Sequence, residues 1–70
     1  MIGDELRKAR QAKEMSQEEL AHRAKISRNY VSLLELGQKS PTVDMLMRIC
    51  AALGISAGEL LLKVEGKKRR

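Results

Sequence analysis

The sequence has few of the residues that stabilise many small domains. Among its 70 residues there is one aromatic residue (Tyr30), one cysteine (Cys50) and one proline (Pro41). A lone cysteine excludes a disulfide within the chain. Since His22 is the only histidine, we expect no metal ion and no cofactor. The core must therefore be built from Leu, Ile, Val, Met and Ala, a composition that favours helices over sheets.

Long apolar runs are also missing, and we expect no signal peptide. No stretch approaches the roughly 20 apolar residues that a membrane-spanning helix needs. The amino terminus, Met1-Ile2-Gly3, has neither a basic start nor the apolar segment of a signal peptide. We therefore expect no membrane partner and a cytoplasmic location. A chain of this length forms one domain with a thin stability margin, so oligomerisation is the leading candidate for extra stability.

Positive charge exceeds negative charge. Lys and Arg number 14 and Asp and Glu number 9, which gives a formal net charge of +5. A basic balance is compatible with nucleic acid, with an anionic membrane surface or with neither, so the charge alone does not decide the function. An enzyme is the weakest hypothesis, because one cysteine, one histidine and no glycine-rich phosphate loop cannot line a catalytic site. We expect that the protein is not an enzyme.

Apolar residues at helical spacing, punctuated by Gly and Pro, predict an all-α fold of five short helices. The predicted helices cover about residues 2–13, 16 to 24 or 25, 27–35, 43–53 and 57–62, with the cap residues Ser16 and Ser27 counted in the second and third. The residues from 1 to 64 form the predicted domain. The basic end, residues 65–70, is expected to be disordered without a partner.

Residues with special roles at helix ends support these bounds. Gly37 is expected to end the third helix in the left-handed conformation, and Gly54 is expected to end the fourth. Glu19 is expected to complete a capping box at the start of the second helix. The predicted N-caps are Ser16, Ser27, Thr42 and Ser56.

The apolar positions predict which side of each helix is buried. Leu60, Leu61 and Leu62 are adjacent, so they cannot all face one core, and at least one should be exposed. Their alternatives are core packing and a dimer contact. The fourth helix carries an apolar stripe formed by Val43, Leu46, Met47, Cys50 and Leu53.

Only about three residues separate the second and third helices. So short a connection forces a sharp corner rather than an antiparallel hairpin, and it leaves the start of the third helix projecting. A helix so presented fits the DNA major groove, which is about 12 Å wide. Arg28 matches guanine O6 and N7, Asn29 matches adenine N6 and N7, and Gln17 opens a helix whose dipole favours a phosphate. The alternative is that each is a solvated surface residue.

These residues resemble the phage-repressor-like helix-turn-helix family, the xenobiotic-response-element type that includes lambda repressor and Cro. The resemblance covers about residues 2–62. It implies a lambda repressor-like DNA-binding domain of five helices, acting as a homodimer on a near-palindromic operator in double-stranded DNA. The segments that carry it are 16–21 (Ser-Gln-Glu-Glu-Leu-Ala), 26–32 (Ile-Ser-Arg-Asn-Tyr-Val-Ser), Leu34-Glu35, Gly37, Pro41-Thr42 and 52–56 (Ala-Leu-Gly-Ile-Ser).

The resemblance also implies a salt bridge between Arg10 and Glu35, which braces the third helix and presents Arg10 to a phosphate. The alternative is a surface pair of little value. Tyr30 is either a packing residue or a phosphate contact through its hydroxyl. The candidate DNA-binding residues are Arg10, Gln17, Ser27, Arg28, Asn29, Tyr30, Ser32, Leu33 and Lys39.

Three positions depart from the family pattern. Lys25 stands where glycine usually makes the turn, so we expect a positive φ at a cost of about 1 kcal/mol. Leu33 and Leu36 stand where polar or basic residues are common. Leu33 is suited to a thymine methyl group. Leu36 is either a packing residue or a small exposed patch.

The leading hypothesis is a transcriptional regulator, a repressor that binds DNA as a homodimer. The alternative is an antitoxin-like protein-interaction module with the same fold. The fifth helix is the expected dimer contact, through Leu60, Leu61, Leu62 and Val64.

Overall fold

A computed structural model describes residues 2–68, with side chains through residue 65. This part of the chain forms five helices joined by short connections, which confirms the predicted all-α fold. The helices are α1 (Ile2–Ala12), α2 (Gln17–Ala24), α3 (Arg28–Glu35), α4 (Val43–Leu53) and α5 (Ala57–Lys68).

Four helices begin at the predicted cap residues. The sequence also predicts a capping box in which Glu19 reaches back to Ser16, and that part is wrong. The Glu19 carboxylate instead accepts a hydrogen bond of 3.0 Å from Arg23, because an ion pair one turn apart competes for the same group. Each cap oxygen accepts from the backbone N–H three residues later, at Ser16 (3.0 Å), Ser27 (3.0 Å), Thr42 (3.1 Å) and Ser56 (3.3 Å).

The first four helices each end through a residue with a positive φ. These residues are Glu14 (54°), Lys25 (61°), Gly37 (79°) and Gly54 (71°). In each case the next residue's N–H bonds back to a carbonyl in the last turn, at 2.9–3.1 Å, as in a Schellman motif. Glycine adopts this conformation freely, whereas Glu14 and Lys25 each bear a steric cost of about 1 kcal/mol. The sequence predicted the strain at Lys25 and missed it at Glu14.

The core lies between α1, α2, α3 and α4, and α5 packs against α1 and α4. Tyr30 contacts only its edge, as expected for a core without aromatic residues. Burial raises the pKa of the Cys50 thiol, which suits a small apolar core residue. The buried hydrophobic residues are Leu6, Met15, Leu20, Ala21, Ala24, Val31, Leu34, Leu46, Ile49, Cys50, Leu53 and Leu60.

The predicted apolar stripe of α4 is partly wrong. Val43 and Met47 are 74% and 59% exposed, whereas Ile49, which the stripe omits, is fully buried. α4 packs against α2 and α5, which lie around the side that carries Leu46, Ile49 and Leu53. Val43 and Met47 lie one turn apart beyond the edge of that side, so helical spacing alone did not separate them from the core.

α5 is longer than the sequence predicts, because it continues to Lys68 instead of ending near Leu62. Val64 is half-buried and gives the helix a packing position beyond Leu62. The helix thus enters the segment 65–70 that was expected to be disordered. Arg69 and Arg70 lie outside the described residues.

Within residues 2–68, no single helix has the length and apolar character of a membrane span. The segments Val43–Leu53 and Ala57–Glu65 meet the length and composition criteria only as a pair bent by 108°.

Candidate nucleic-acid interface

The corner between α2 and α3 is made by residues 25–27. Lys25 adopts the left-handed conformation (φ 61°, ψ 46°), and the N–H of Ile26 donates to the carbonyl of Ala21 at 3.0 Å. Ala21 and Ala24 are both buried, which lets the two helices approach closely. The predicted positive φ at Lys25 is therefore confirmed, and the turn forms without glycine.

Local interactions at Ser27 and Gly37 define the two ends of α3. Ser27 has extended backbone angles, and its hydroxyl accepts from the N–H of Tyr30. At the other end, Gly37 turns the chain, and the N–H of Gln38 donates to the carbonyl of Leu33 at 2.9 Å. The start of α3 is thus a capped helix end on a sharp corner, as the sequence predicts.

One side of α3 is buried and the other is accessible. The buried side carries Val31, Leu34 and Glu35. The predicted base-reading residues lie away from it. Ser27, Arg28 and Asn29 are exposed, and Ser32 and Leu33 are half-buried.

Glu35 is the polar residue on the buried side, and Arg10 of α1 pairs with it. Arg10 Nε donates to Glu35 Oε2 at 2.7 Å and Arg10 Nη2 donates to Glu35 Oε1 at 3.1 Å. The side chains are only 12% and 4% exposed. The salt bridge implied by the family resemblance is present, with two parallel hydrogen bonds. The alternative of a surface pair is excluded.

All three guanidinium nitrogens of Arg10 donate to acceptors within the chain. The third, Nη1, bonds to the carbonyl of Met15 at 2.7 Å, just after α1 ends. Since a guanidinium has five N–H groups, further donors remain for another acceptor. The inward bonds assign Arg10 a bracing role, and its contact with a phosphate stays a prediction.

Gln17 has a role that the sequence did not reveal. Its side-chain amide donates to Glu35 Oε1 at 3.1 Å, so the Glu35 carboxylate joins α2 to α3 as well as α1 to α3. Gln17 also stays at the first position of α2, where the helix dipole favours an anion. No periodic pattern relates positions 17 and 35, so only the folded chain brings them together.

Gly3 is a second residue whose importance the sequence did not reveal. A Cβ atom at this position would lie 2.4 Å from the carbonyl oxygen of Leu34 and 2.9 Å from that of Glu35. The start of α1 therefore lies directly against the end of α3, and only a residue without a side chain fits. A glycine inside a predicted helix was the available signal.

Lys25 in the corner and Arg48 of α4 lie near Tyr30, which is in the first turn of α3. They help to line a shallow depression of about 360 Å³ between α3 and α4. Tyr30 is half-buried and packs against the core, which supports its packing role. Arg48 adds a cation at this place that no sequence pattern indicates. Lys39 is exposed in the connection after α3.

α5 presents two leucines to solvent. Leu61 is 47% and Leu62 is 66% exposed, whereas Leu60 belongs to the core. The expectation that three adjacent leucines cannot all be buried is confirmed. Leu60 is therefore unavailable for the predicted dimer contact.

Comparison with known proteins agrees with this architecture. The helix-turn-helix family matches residues 6–60. The chain is 38% identical over 61 residues to the uncharacterised HTH-type transcriptional regulator y4dJ of Sinorhizobium fredii, covering 87% of this chain and 79% of the relative. It is 34% identical over 62 residues to the transcriptional regulator ClgR of Mycobacterium tuberculosis, covering 89% of this chain. The chain spans only 55% of the length of ClgR.

A solved structure shares the arrangement of helices. The restriction-modification controller protein C.AhdI from Aeromonas hydrophila superposes with a TM-score of 0.82 at 37% sequence identity. The alignment covers 84% of this chain and 89% of that protein. The corner at residues 25–27 and the Arg10–Glu35 pair both lie within residues 6–60, the part of the chain that the family matches.

Proposed function

Since the chain belongs to the helix-turn-helix family of transcriptional regulators, as the sequence resemblance predicted, we propose that it binds double-stranded DNA sequence-specifically and represses transcription. The observation that carries this proposal is the division of α3 into two sides. One side is held by Glu35, and the other exposes Arg28 and Asn29. A helix that is held through its buried side and exposes polar side chains on the other side is suited to reading base edges.

Base reading is assigned to the first turns of α3. Arg28 is placed to bind guanine O6 and N7, and Asn29 to bind adenine N6 and N7. Ser27 and Ser32 flank them on the accessible side. Each matched pair contributes about 1–3 kcal/mol of discrimination against a wrong base.

Phosphate contacts position the domain on the duplex. The proposed phosphate contacts are Gln17, at the start of α2, and Lys39, which follows α3 in the sequence. Tyr30 and Arg10 are further candidates for phosphate contacts. The net charge of +5 supports binding to a polyanion. Such contacts set affinity and its salt dependence rather than sequence preference.

The proposed active form is a homodimer through α5. The proposed contact uses Leu61 and Leu62, with Val64 beside them, since both leucines are exposed whereas Leu60 is already buried in the core. Covering two exposed leucines supplies a hydrophobic gain. A two-fold dimer places its recognition helices on half-sites of a near-palindromic operator, roughly 34 Å apart. Occupying such a site blocks other proteins from it, which is the proposed basis of repression in the cytoplasm.

Selection of bound DNA from a random pool, at a stated salt concentration, tests the proposal. We expect a palindromic consensus whose half-sites lie one helical turn apart. Leu62→Ser should weaken binding to the full site more than binding to a half-site. A selection without enrichment would overturn the proposed function.

The exposed apolar residues on α4 and α5 favour a second candidate, an antitoxin-like protein-interaction module. Val43, Met47 and Leu62 are each more than half exposed. This alternative predicts a tight complex with a protein partner in the absence of DNA. It also predicts that the random-pool selection gives no consensus.

A further inference from the structure

The accessible side of α3 carries apolar residues as well as polar ones. Leu33 and Leu36 follow Asn29 at spacings that place all three along the same side of the helix. Leu36 is 65% exposed and Leu33 is half-buried. We refer to Leu33 and Leu36 as the apolar strip.

The apolar strip is separate from the core. The core-facing residues of α3 are Val31, Leu34 and Glu35, which lie on the other side of the helix. Leu36 is the last residue before Gly37 turns the chain, and its backbone is right-handed helical. Its side chain therefore continues the line set by Asn29 and Leu33 instead of turning inward.

The surroundings of the apolar strip indicate which partner covers it. Asn29 lies one turn before Leu33 on α3, Arg28 and Ser32 are nearby polar residues of the same helix, and Lys39 follows Leu36 after the turn. This surface lacks acidic side chains among its exposed residues from 27 to 40, and so it is complementary in charge to a polyanion. The C5 methyl of thymine is the apolar group on base edges in the major groove.

We propose that the apolar strip reads thymine methyl groups, with Leu33 making the principal contact and Leu36 extending it. The inference rests on the proposed function and names the operator chemistry that it requires. Each half-site should contain thymine beside the positions that Arg28 and Asn29 read. The recognition surface then combines hydrogen bonds to purines with apolar contacts to pyrimidines.

The test uses deoxyuridine, which differs from thymidine only by the missing C5 methyl. Each thymine of the selected half-site is replaced in turn by deoxyuridine, and the dissociation constant is measured with the unaltered protein. At the position that Leu33 contacts we expect binding to weaken by about fourfold, which corresponds to about 0.8 kcal/mol for one buried methyl group. The DNA carries the change, so protein folding is unaffected.

Variants identify the side chain that senses the methyl. In Leu33→Ala the fourfold difference between thymine and deoxyuridine should disappear, as a double-mutant cycle measures. Met47→Ala is the matched control, because it removes an apolar side chain from α4 that is 59% exposed. It should keep the full difference. Circular dichroism checks that both variants are folded.

Each outcome separates the inference from the proposed function. A consensus whose affinity is unchanged by deoxyuridine at every position overturns thymine reading and leaves DNA binding intact. The same holds if Leu33→Ala keeps the difference. If Leu33→Ala or Leu36→Ala instead changes the oligomeric mass, the apolar strip is a protein contact and the inference is wrong. Absence of any consensus overturns the proposed function itself.

Discussion

The two sides of α3 use similar residues in opposite ways. On the buried side, the Glu35 carboxylate accepts hydrogen bonds from Arg10 and Gln17. Because Gly3 has no side chain, the start of α1 contacts the end of α3. On the accessible side, Arg28 and Asn29 extend into solvent. Arg10 of α1 thus braces α3 from its buried side, whereas Arg28 on the accessible side is exposed and available to contact a partner.

This difference separates positioning from recognition. Contacts on the buried side join residues far apart in sequence, so a change there should move or loosen the whole helix. Changes on the accessible side should leave the fold intact and alter only what the helix binds. Single substitutions on each side of α3 therefore test whether positioning and recognition are separate.

Glu35→Ala should destabilise the fold by about 3–5 kcal/mol, because it leaves Arg10 buried without its partner. Urea unfolding followed by circular dichroism measures the change. Glu19→Ala is the matched control, since it breaks the Arg23–Glu19 pair, whose side chains are 55% and 45% exposed. It should cost about 1 kcal/mol or less. Equal losses in the two variants would contradict the bracing role of Glu35.

Gly3→Ala should destabilise the fold by about 1–3 kcal/mol, because the new methyl would clash with backbone at the end of α3 and the helices must shift. This loss is expected even though alanine has the higher helix propensity. Gly58→Ala is the control, since its Cβ would meet only Ser56 Oγ, at 3.5 Å. That variant should be stabilised by about 0.5–1 kcal/mol. Thermal melts of the two variants should therefore shift in opposite directions.

Arg28→Ala should leave the unfolding free energy within about 0.5 kcal/mol of the parent. Its affinity for the selected operator should fall by about 1–3 kcal/mol, with preference lost at one base pair. Arg7→Ala removes the same charge from an exposed position on α1, so it controls for general electrostatics. If Arg28→Ala weakens all sequences equally, Arg28 contacts a phosphate and the base assignment is wrong.

Lys25→Gly should stabilise the fold by about 1 kcal/mol, because glycine adopts the left-handed conformation of the corner without steric cost. Glu14→Gly is a parallel variant at the end of α1, with a similar φ of 54°. Both should raise the midpoint of urea unfolding and leave the base preference of α3 unchanged. A lower midpoint for Lys25→Gly would indicate that the lysine side chain stabilises the corner.

The start of every helix from α2 to α5 was readable from the sequence because a cap acts over three residues. Ser16, Ser27, Thr42 and Ser56 bond within the first turn, and the glycines at 37 and 54 turn the chain just after the helices end. The corner at Lys25 followed from the short connection and the family pattern. These interactions are local, so the amino-acid order is enough to predict them.

Packing was predicted less well, because it depends on which neighbours surround a helix. The sequence placed Val43 and Met47 in the core and missed Ile49, since one helix's spacing does not reveal where its neighbours lie. The capping box is only half formed for a different, local reason: within α2 itself, Arg23 lies one turn after Glu19 and competes for its carboxylate. The resemblance supplied the Arg10–Glu35 pair, which no spacing rule links.

The sequence by itself determined the number and order of the helices, the N-caps of α2 to α5, the sharp corner and the family. Local hydrogen bonds and backbone preferences decide these features within a few residues of each position. Only the tertiary structure decided that Gln17 and Arg10 both donate hydrogen bonds to the Glu35 carboxylate. It also decided that the end of α3 packs directly against Gly3, and which leucines stay exposed. Those outcomes depend on contacts between residues distant in sequence, which exist only once the helices have packed.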